Sequence, residues 1–106
     1  MMITTTDTIA GRKIVRYLGI VTGEAVIGSN LVDDLFRGLR GIVGGRTSKY
    51  EKNLVTARGL ALKDMQTNAE QLGANAVVGV DLDYEVFSVG ETMMIVIANG
   101  TAVQVE

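Results

Sequence analysis

The chain contains no cysteine and no histidine. That excludes disulfides, thiol nucleophiles and imidazole bases. It also excludes ordinary zinc sites, which are built from thiolate and imidazole ligands. The missing cysteines fit a reducing cytoplasm, which is the expected location. Proline is absent as well, so no stretch reads as a Pro-rich linker. Aromatics make up only 5% of the residues, and the net charge is −2, without the basic surplus of a nucleic-acid-binding surface. The longest uninterrupted apolar run, Met93 to Ala98, is far too short to span a bilayer. Met1 to Lys13 is polar and threonine-rich, without the apolar centre of a signal peptide. Neither a membrane nor a nucleic acid is an expected partner.

What the chain has is aliphatic. Apolar residues make up 47% of its 106 residues, and most are small or branched. The length predicts a single domain over residues 1–106. A chain of this size buries only about two thirds of its unfolded surface. The apolar surplus predicts a surface that a partner covers.

Ser48 to Leu72 reads as one long amphipathic helix. Ser48 and Glu51 form a capping box, and Gly73 supplies the left-handed stop. Leu54, Ala57, Ala61, Met65, Ala69 and Leu72 recur at spacings of three and four, as one apolar stripe. At about 1.5 Å per residue the helix would be roughly 37 Å long. Arg58 interrupts the stripe between Leu54 and Leu62. It either snorkels to the stripe's edge or is buried and paired with Glu51 or Glu24. The second, sharper reading is the expectation to be tested.

The rest of the chain supplies strands. Met2 to Thr5 reads as a short strand and Thr6 to Arg12 as a polar connection. Ile14 to Ile27 reads as a long strand, bent or bulged at Gly19 and Gly23. One of its faces, Val15, Tyr17, Gly19, Val21, Gly23, Ala25 and Ile27, is expected to receive the long helix. Asn30 is placed to cap a short helix over Leu31 to Leu39 or Arg40. A glycine-rich loop, Gly41 to Thr47, leads into the long helix. Ala76 to Phe87 alternates as a strand with one core face. A turn is expected over Ser88 to Glu91, then a strand over Thr92 to Ala98. Asn99-Gly100 reads as a hairpin turn into a last strand, Thr101 to Val105. The order predicts an α+β fold: a two-layer antiparallel sheet with one long helix across one face, plus a short helix.

Several stretches together resemble the YbjQ family of small, uncharacterised proteins. They are Val21-Thr22-Gly23-Glu24-Ala25, Ile42-Val43-Gly44-Gly45-Arg46, Tyr50-Glu51 and Ala57-Arg58. Gly73 to Gly79, Asp83-Tyr84-Glu85 and Gly100 to Val103 continue the match. The resemblance implies a dodecin-like β-α-β-β subunit, a homopentameric ring and a heavy-metal-binding label. It carries no established catalytic residues.

The residues themselves allow few sites. Asp81, Asp83 and Glu85 share one strand face and could offer oxygen to a hard cation. Their Cα atoms would be roughly 6.6 Å apart along the strand, so a solvated face is the preferred reading. Met93 and Met94 point to opposite faces, which favours packing over thioether ligation. No metal site and no cofactor are therefore expected. The loop before the long helix is the best ligand candidate. Gly44, Gly45 and Arg46 at a helix N-terminus could hold an anion or small molecule, with Glu24, Tyr50 and Arg58 beside them. The sequence thus reads as a non-enzymatic, homo-oligomeric module that binds a small ligand or ion. The alternatives are a purely structural assembly, or an enzyme with Glu24, Arg46, Tyr50 and Arg58 at subunit boundaries and its proton transfer left to Glu and Tyr.

Overall fold

A computed structural model describes residues 1–27, 46–89 and 91–106, with side chains described at 1–27, 54–86 and 93–106. The elements are β1 (Met2–Ile3), β2 (Ile14–Ile27), α1 (Arg46–Gln71), β3 (Ala76–Val89) and β4 (Glu91–Val105). The short helix expected over Leu31 to Arg40 and the loop residues 41–45 lie outside the described residues. The fold is α+β, a four-stranded sheet with α1 packed across it. The strand order is β1-β3-β4-β2. The sheet is mixed rather than purely antiparallel, because β1 pairs parallel with the start of β3.

Helix α1 starts at Arg46, two residues before the expected cap, and ends where glycine stops it. Gly73 has φ 85°. The Gly73 N–H donates to the Glu70 carbonyl at 3.0 Å and the Ala74 N–H to the Ala69 carbonyl at 3.1 Å. This pair of bonds is the Schellman motif, which satisfies two carbonyls the helix would otherwise orphan.

The helix buries Ala57, Ala61, Met65 and Ala69 completely. Leu54 is half-buried and Leu72 is exposed. The facing positions of the sheet are Val21, Gly23 and Ala25 on β2 and Met94, Val96, Ala98, Gly100 and Ala102 on β4. Small residues bring the two layers together. A Cβ at Gly23 would lie 2.0 Å from the Ala61 carbonyl oxygen and 2.3 Å from the Met65 nitrogen. No side chain fits there, so the helix backbone rests directly on the strand.

Three sequence expectations are corrected here. Val15 and Tyr17 do not face the helix; they are exposed. The pairing of β2 with β4 slips between Ile14 and Arg16 and again between Tyr17 and Gly19, and each bulge changes the side on which the following residues point. Gly19, with φ 126°, provides the second irregularity, whereas Gly23 pairs in regular register with Ala98. Nor does Asn99-Gly100 make a hairpin. Strand β4 runs straight through it, and neither residue has the positive φ that such a turn requires. Gly100 is needed for space instead: a Cβ there would lie 2.6 Å from Val77 Cγ1. The strands of the β3–β4 hairpin also run to Val89 and Glu91, further than expected.

Among the described residues, the sheet's other face is covered at one end only. Ile9, Ala76, Val78, Val103 and Val105 form a second small core, with Ile14 packed against it. The N-terminal connection is bound over this core. Thr4 N–H donates to the Val77 carbonyl at 2.9 Å, and Gly79 N–H to the Thr6 carbonyl at 2.8 Å. Asn75 closes the same end like a strand. It donates to the Val105 carbonyl at 2.9 Å and accepts from the Val105 N–H at 2.8 Å. Beyond this end no described residue covers that face of the strands. The molecule measures 52 × 28 × 17 Å, and its radius of gyration is 16.7 Å. A compact chain of this length would have a radius of about 13 Å.

Candidate functional site

The uncovered part of the sheet is the described surface with the most unusual chemistry. Register fixes its layout. Thr22, Glu24 and Val26 on β2 lie opposite Asn99, Ile97 and Ile95 on β4. Those in turn lie opposite Asp81, Asp83 and Glu85 on β3. Because α1 covers the alternate residues of β4, this set points away from the helix. The result is an aliphatic floor, Ile95 and Ile97, with carboxylates on both sides. Ile20 is 82% exposed and Val26 is 53% exposed. Asp81, Asp83, Glu85 and Glu24 are all exposed. At the inner end, the Thr22 hydroxyl donates to Asn99 Oδ1 at 2.9 Å.

The flanking carboxylates do not converge. Glu24 and Asp83 stand on strands two apart, on the order of 10 Å between backbones. Among the described residues, no group of three Asp or Glu side chains is close enough to hold a metal ion. Its charged residues among those described are all carboxylates, which suit a cation or a basic amphipathic surface.

The outer edge of β2 is held by the helix. Glu24 N–H donates to Asp64 Oδ2 at 3.0 Å, and Asn68 Nδ2 donates to the Thr22 carbonyl at 2.7 Å. β2 is the last strand of the sheet, so these side chains satisfy edge groups that no described strand meets. The sequence signal for this clamp is two short polar side chains spaced i, i+4, each one residue before a buried stripe position, Met65 or Ala69. Neither was singled out from the sequence.

Of the sequence-predicted site residues, only Glu24 and Arg58 have described side chains, and they stand on opposite sides of the sheet. Gly44 and Gly45 lie outside the described residues. Arg46 and Tyr50 belong to the first two turns of α1, where no side chain is described. Glu24 points to the open face, on the far side of the sheet from α1. Arg58 is exposed on α1, and among the described residues no ion pair holds it. The expectation that Arg58 is buried is therefore corrected. The buried residues advance by four, which rotates their line by about 40° per step. At the level of Ala57 that line is a full 100° from Arg58, although further along the helix it crosses Arg58's direction.

Comparison with known proteins fits this geometry. Residues 1–106 match the model of the YbjQ family, described as "Putative heavy-metal-binding". A crystal structure of a DUF74 family protein of unknown function from Pediococcus pentosaceus superposes with a TM-score of 0.68 at 18% identity, covering 100% of this chain and 98% of that one. At that identity the likeness speaks for the fold. No described helix is long and apolar enough to cross a membrane.

Proposed function

The chain belongs to the YbjQ family, and from that membership we propose that it is a non-enzymatic, homo-oligomeric module, a pentameric ring, that holds a small ligand or ion at its subunit boundaries. The observation that carries the oligomer is the open end of the sheet. Val26 is exposed there opposite Ile95, with Ile97 next along the strand, and Ile20 is exposed on the same face opposite Thr101. A soluble single chain rarely leaves this many large aliphatics on one face in water. The number five comes from the family resemblance alone.

Light scattering across a dilution series tests the assembly. The expected result is a stable mass near five times 11.3 kDa. A mass of one chain at micromolar concentration overturns it, and a stable trimer or hexamer overturns only the count. Native mass spectrometry of gently purified protein reads stoichiometry and co-purifying ligand together. A metal ion there would be a hard cation held by oxygen, since the chain has no thiolate or imidazole to offer, whereas the loop of Gly44, Gly45 and Arg46 suits an anion. Calorimetric titration with Zn²⁺, Cu²⁺ and Ni²⁺ should find nothing tighter than about micromolar, roughly −8 kcal/mol. A stoichiometric nanomolar site would refute that.

A further inference from the structure

An asparagine followed by glycine is the peptide sequence most prone to deamidation, because no Cβ shields the glycine nitrogen from the asparagine side chain. Of the chain's asparagines only Asn99 precedes glycine. Asn30 and Asn53 precede leucine, and Asn68 and Asn75 precede alanine. The reaction closes a ring, which needs the Asn99 side chain and the Gly100 nitrogen nearly eclipsed about the Cα–C bond. Strand backbone, with ψ about +135°, holds the two far from that arrangement.

The fold fixes Asn99 in the strand conformation from several sides. It lies in β4, between β3 and β2, opposite Thr22 on one neighbour and Asp81 on the other. Its Oδ1 accepts from the Thr22 hydroxyl at 2.9 Å, which draws the side chain across to β2. Gly100 is buried, and a Cβ there would lie 2.6 Å from Val77 Cγ1 and 3.2 Å from Val80 Cγ2, so the backbone has no room to turn. We propose that Asn99 is a modification site gated by the fold. Its amide persists while β4 is paired on both sides and is lost once β4 separates from its neighbours. The Gly100 N–H then gives its proton to a solvent base, the nitrogen bonds to Asn99 Cγ, and the side-chain nitrogen leaves as ammonia. Water opens the cyclic imide. Addition at Cγ gives aspartate; addition at the main-chain carbonyl gives isoaspartate, whose backbone runs through the side chain and is longer by a carbon. Water is consumed and ammonia released, with no change of oxidation state. The added carbon puts Thr101 to Val105 out of step with their partners on β2 and β3, so the isoaspartate chain cannot rebuild the sheet. Aspartate keeps the backbone and can still accept from Thr22, but it sets a charge opposite Asp81, which weakens the pair.

Incubation in mildly alkaline buffer, with the protein native or in urea above its unfolding midpoint, tests the gate, with peptide mapping by mass spectrometry as the readout. In urea the Asn99 peptide should show the mass gain of amide-to-acid conversion several-fold faster than the peptides of Asn68 and Asn75. Asn99→Gln should abolish that gain. In native buffer the Asn99 peptide should stay unmodified over the same interval. Equal rates in buffer and in urea would overturn the protection, and no gain in urea would overturn the reactivity. After removal of urea, chains that accept methyl groups from an isoaspartate-specific methyltransferase should stay unfolded by circular dichroism, while Asn99→Asp should refold. An isoaspartate fraction that regains the parent's unfolding midpoint would overturn the consequence for the sheet.

Discussion

The two faces of β4 differ more than any other two regions of the molecule. Met94, Val96, Ala98, Gly100 and Ala102 lie beneath α1 and are buried, while Ile95 and Ile97, alternating with them, are only half-buried. Hydrophobicity does not explain the difference, since the open face carries the bulkier aliphatics. Packing does. The covered face carries Ala98, Gly100 and Ala102 where the helix backbone comes closest, and the open face carries Ile95 and Ile97, which no described element of the same chain covers. Small residues mark the interface the chain completes alone. Large aliphatics edged by carboxylates mark one that it leaves for another surface.

The comparison breaks most sharply at Gly23. Gly23→Val would drive a side chain into the Ala61 carbonyl and the Met65 backbone, where even a Cβ lies at 2.0 and 2.3 Å. Backbone cannot yield as a side chain end can, so the expected loss is at least about 4 kcal/mol. Urea unfolding would show it as a collapsed midpoint or as failure to fold. A midpoint within the parent's range would mean that helix and strand are not in backbone contact.

Met65→Ala comes next. Met65 is the largest side chain in the helix's fully buried set, and it reaches toward Gly100. Truncation leaves a cavity between rigid layers, for an expected cost of about 2–5 kcal/mol. A loss under 1 kcal/mol, read by urea unfolding, would show that the layers collapse onto the gap.

Asn68→Ala tests the edge clamp and should cost less. It orphans the half-buried Thr22 carbonyl, for about 1–2 kcal/mol. It also exposes a β2 edge group to strand addition. Asp64→Ala should cost less still, because the Glu24 N–H can turn to water. Equal losses for the two would deny that burial distinguishes them.

What the sequence disclosed follows from the range of each signal. The i, i+4 stripe from Ala57 to Ala69 and the Gly73 stop are local patterns, and both appear in the structure. The alternation of Ala76 to Phe87 is local too, although the bulge at Gly79, with φ 61°, shifts the core positions of β3 from Val77 to Val80. Asn99-Gly100 misled because the same glycine serves a turn or a tight contact, and only Val77 and Met65 on other elements decide between them. Arg58 misled because a stripe that rotates along the helix has no single direction. Asp64 and Asn68 were legible as a spacing, but their meaning depended on an edge strand forty and forty-six residues upstream.

The smallest expected effect is also the one that most sharpens the comparison. Ile20 is 82% exposed, so it contributes almost nothing to the single chain. Ile20→Thr keeps a β-branched residue on the strand and leaves no cavity, since Ile20 is almost fully exposed. At protein concentrations where only single chains exist, its unfolding midpoint should match the parent's to within about 0.5 kcal/mol. At higher concentrations the two should part. Assembly stabilises a folded chain by mass action, so the parent's midpoint rises with concentration. The variant's should rise less, because a hydroxyl now sits where a partner's apolar surface would be. Unfolding curves recorded over a hundredfold dilution give both readouts from one set of samples. If Ile20→Thr loses as much as Met65→Ala at every concentration, Ile20 is buried within its own chain. If the two proteins track one another throughout, the open face is not where copies meet.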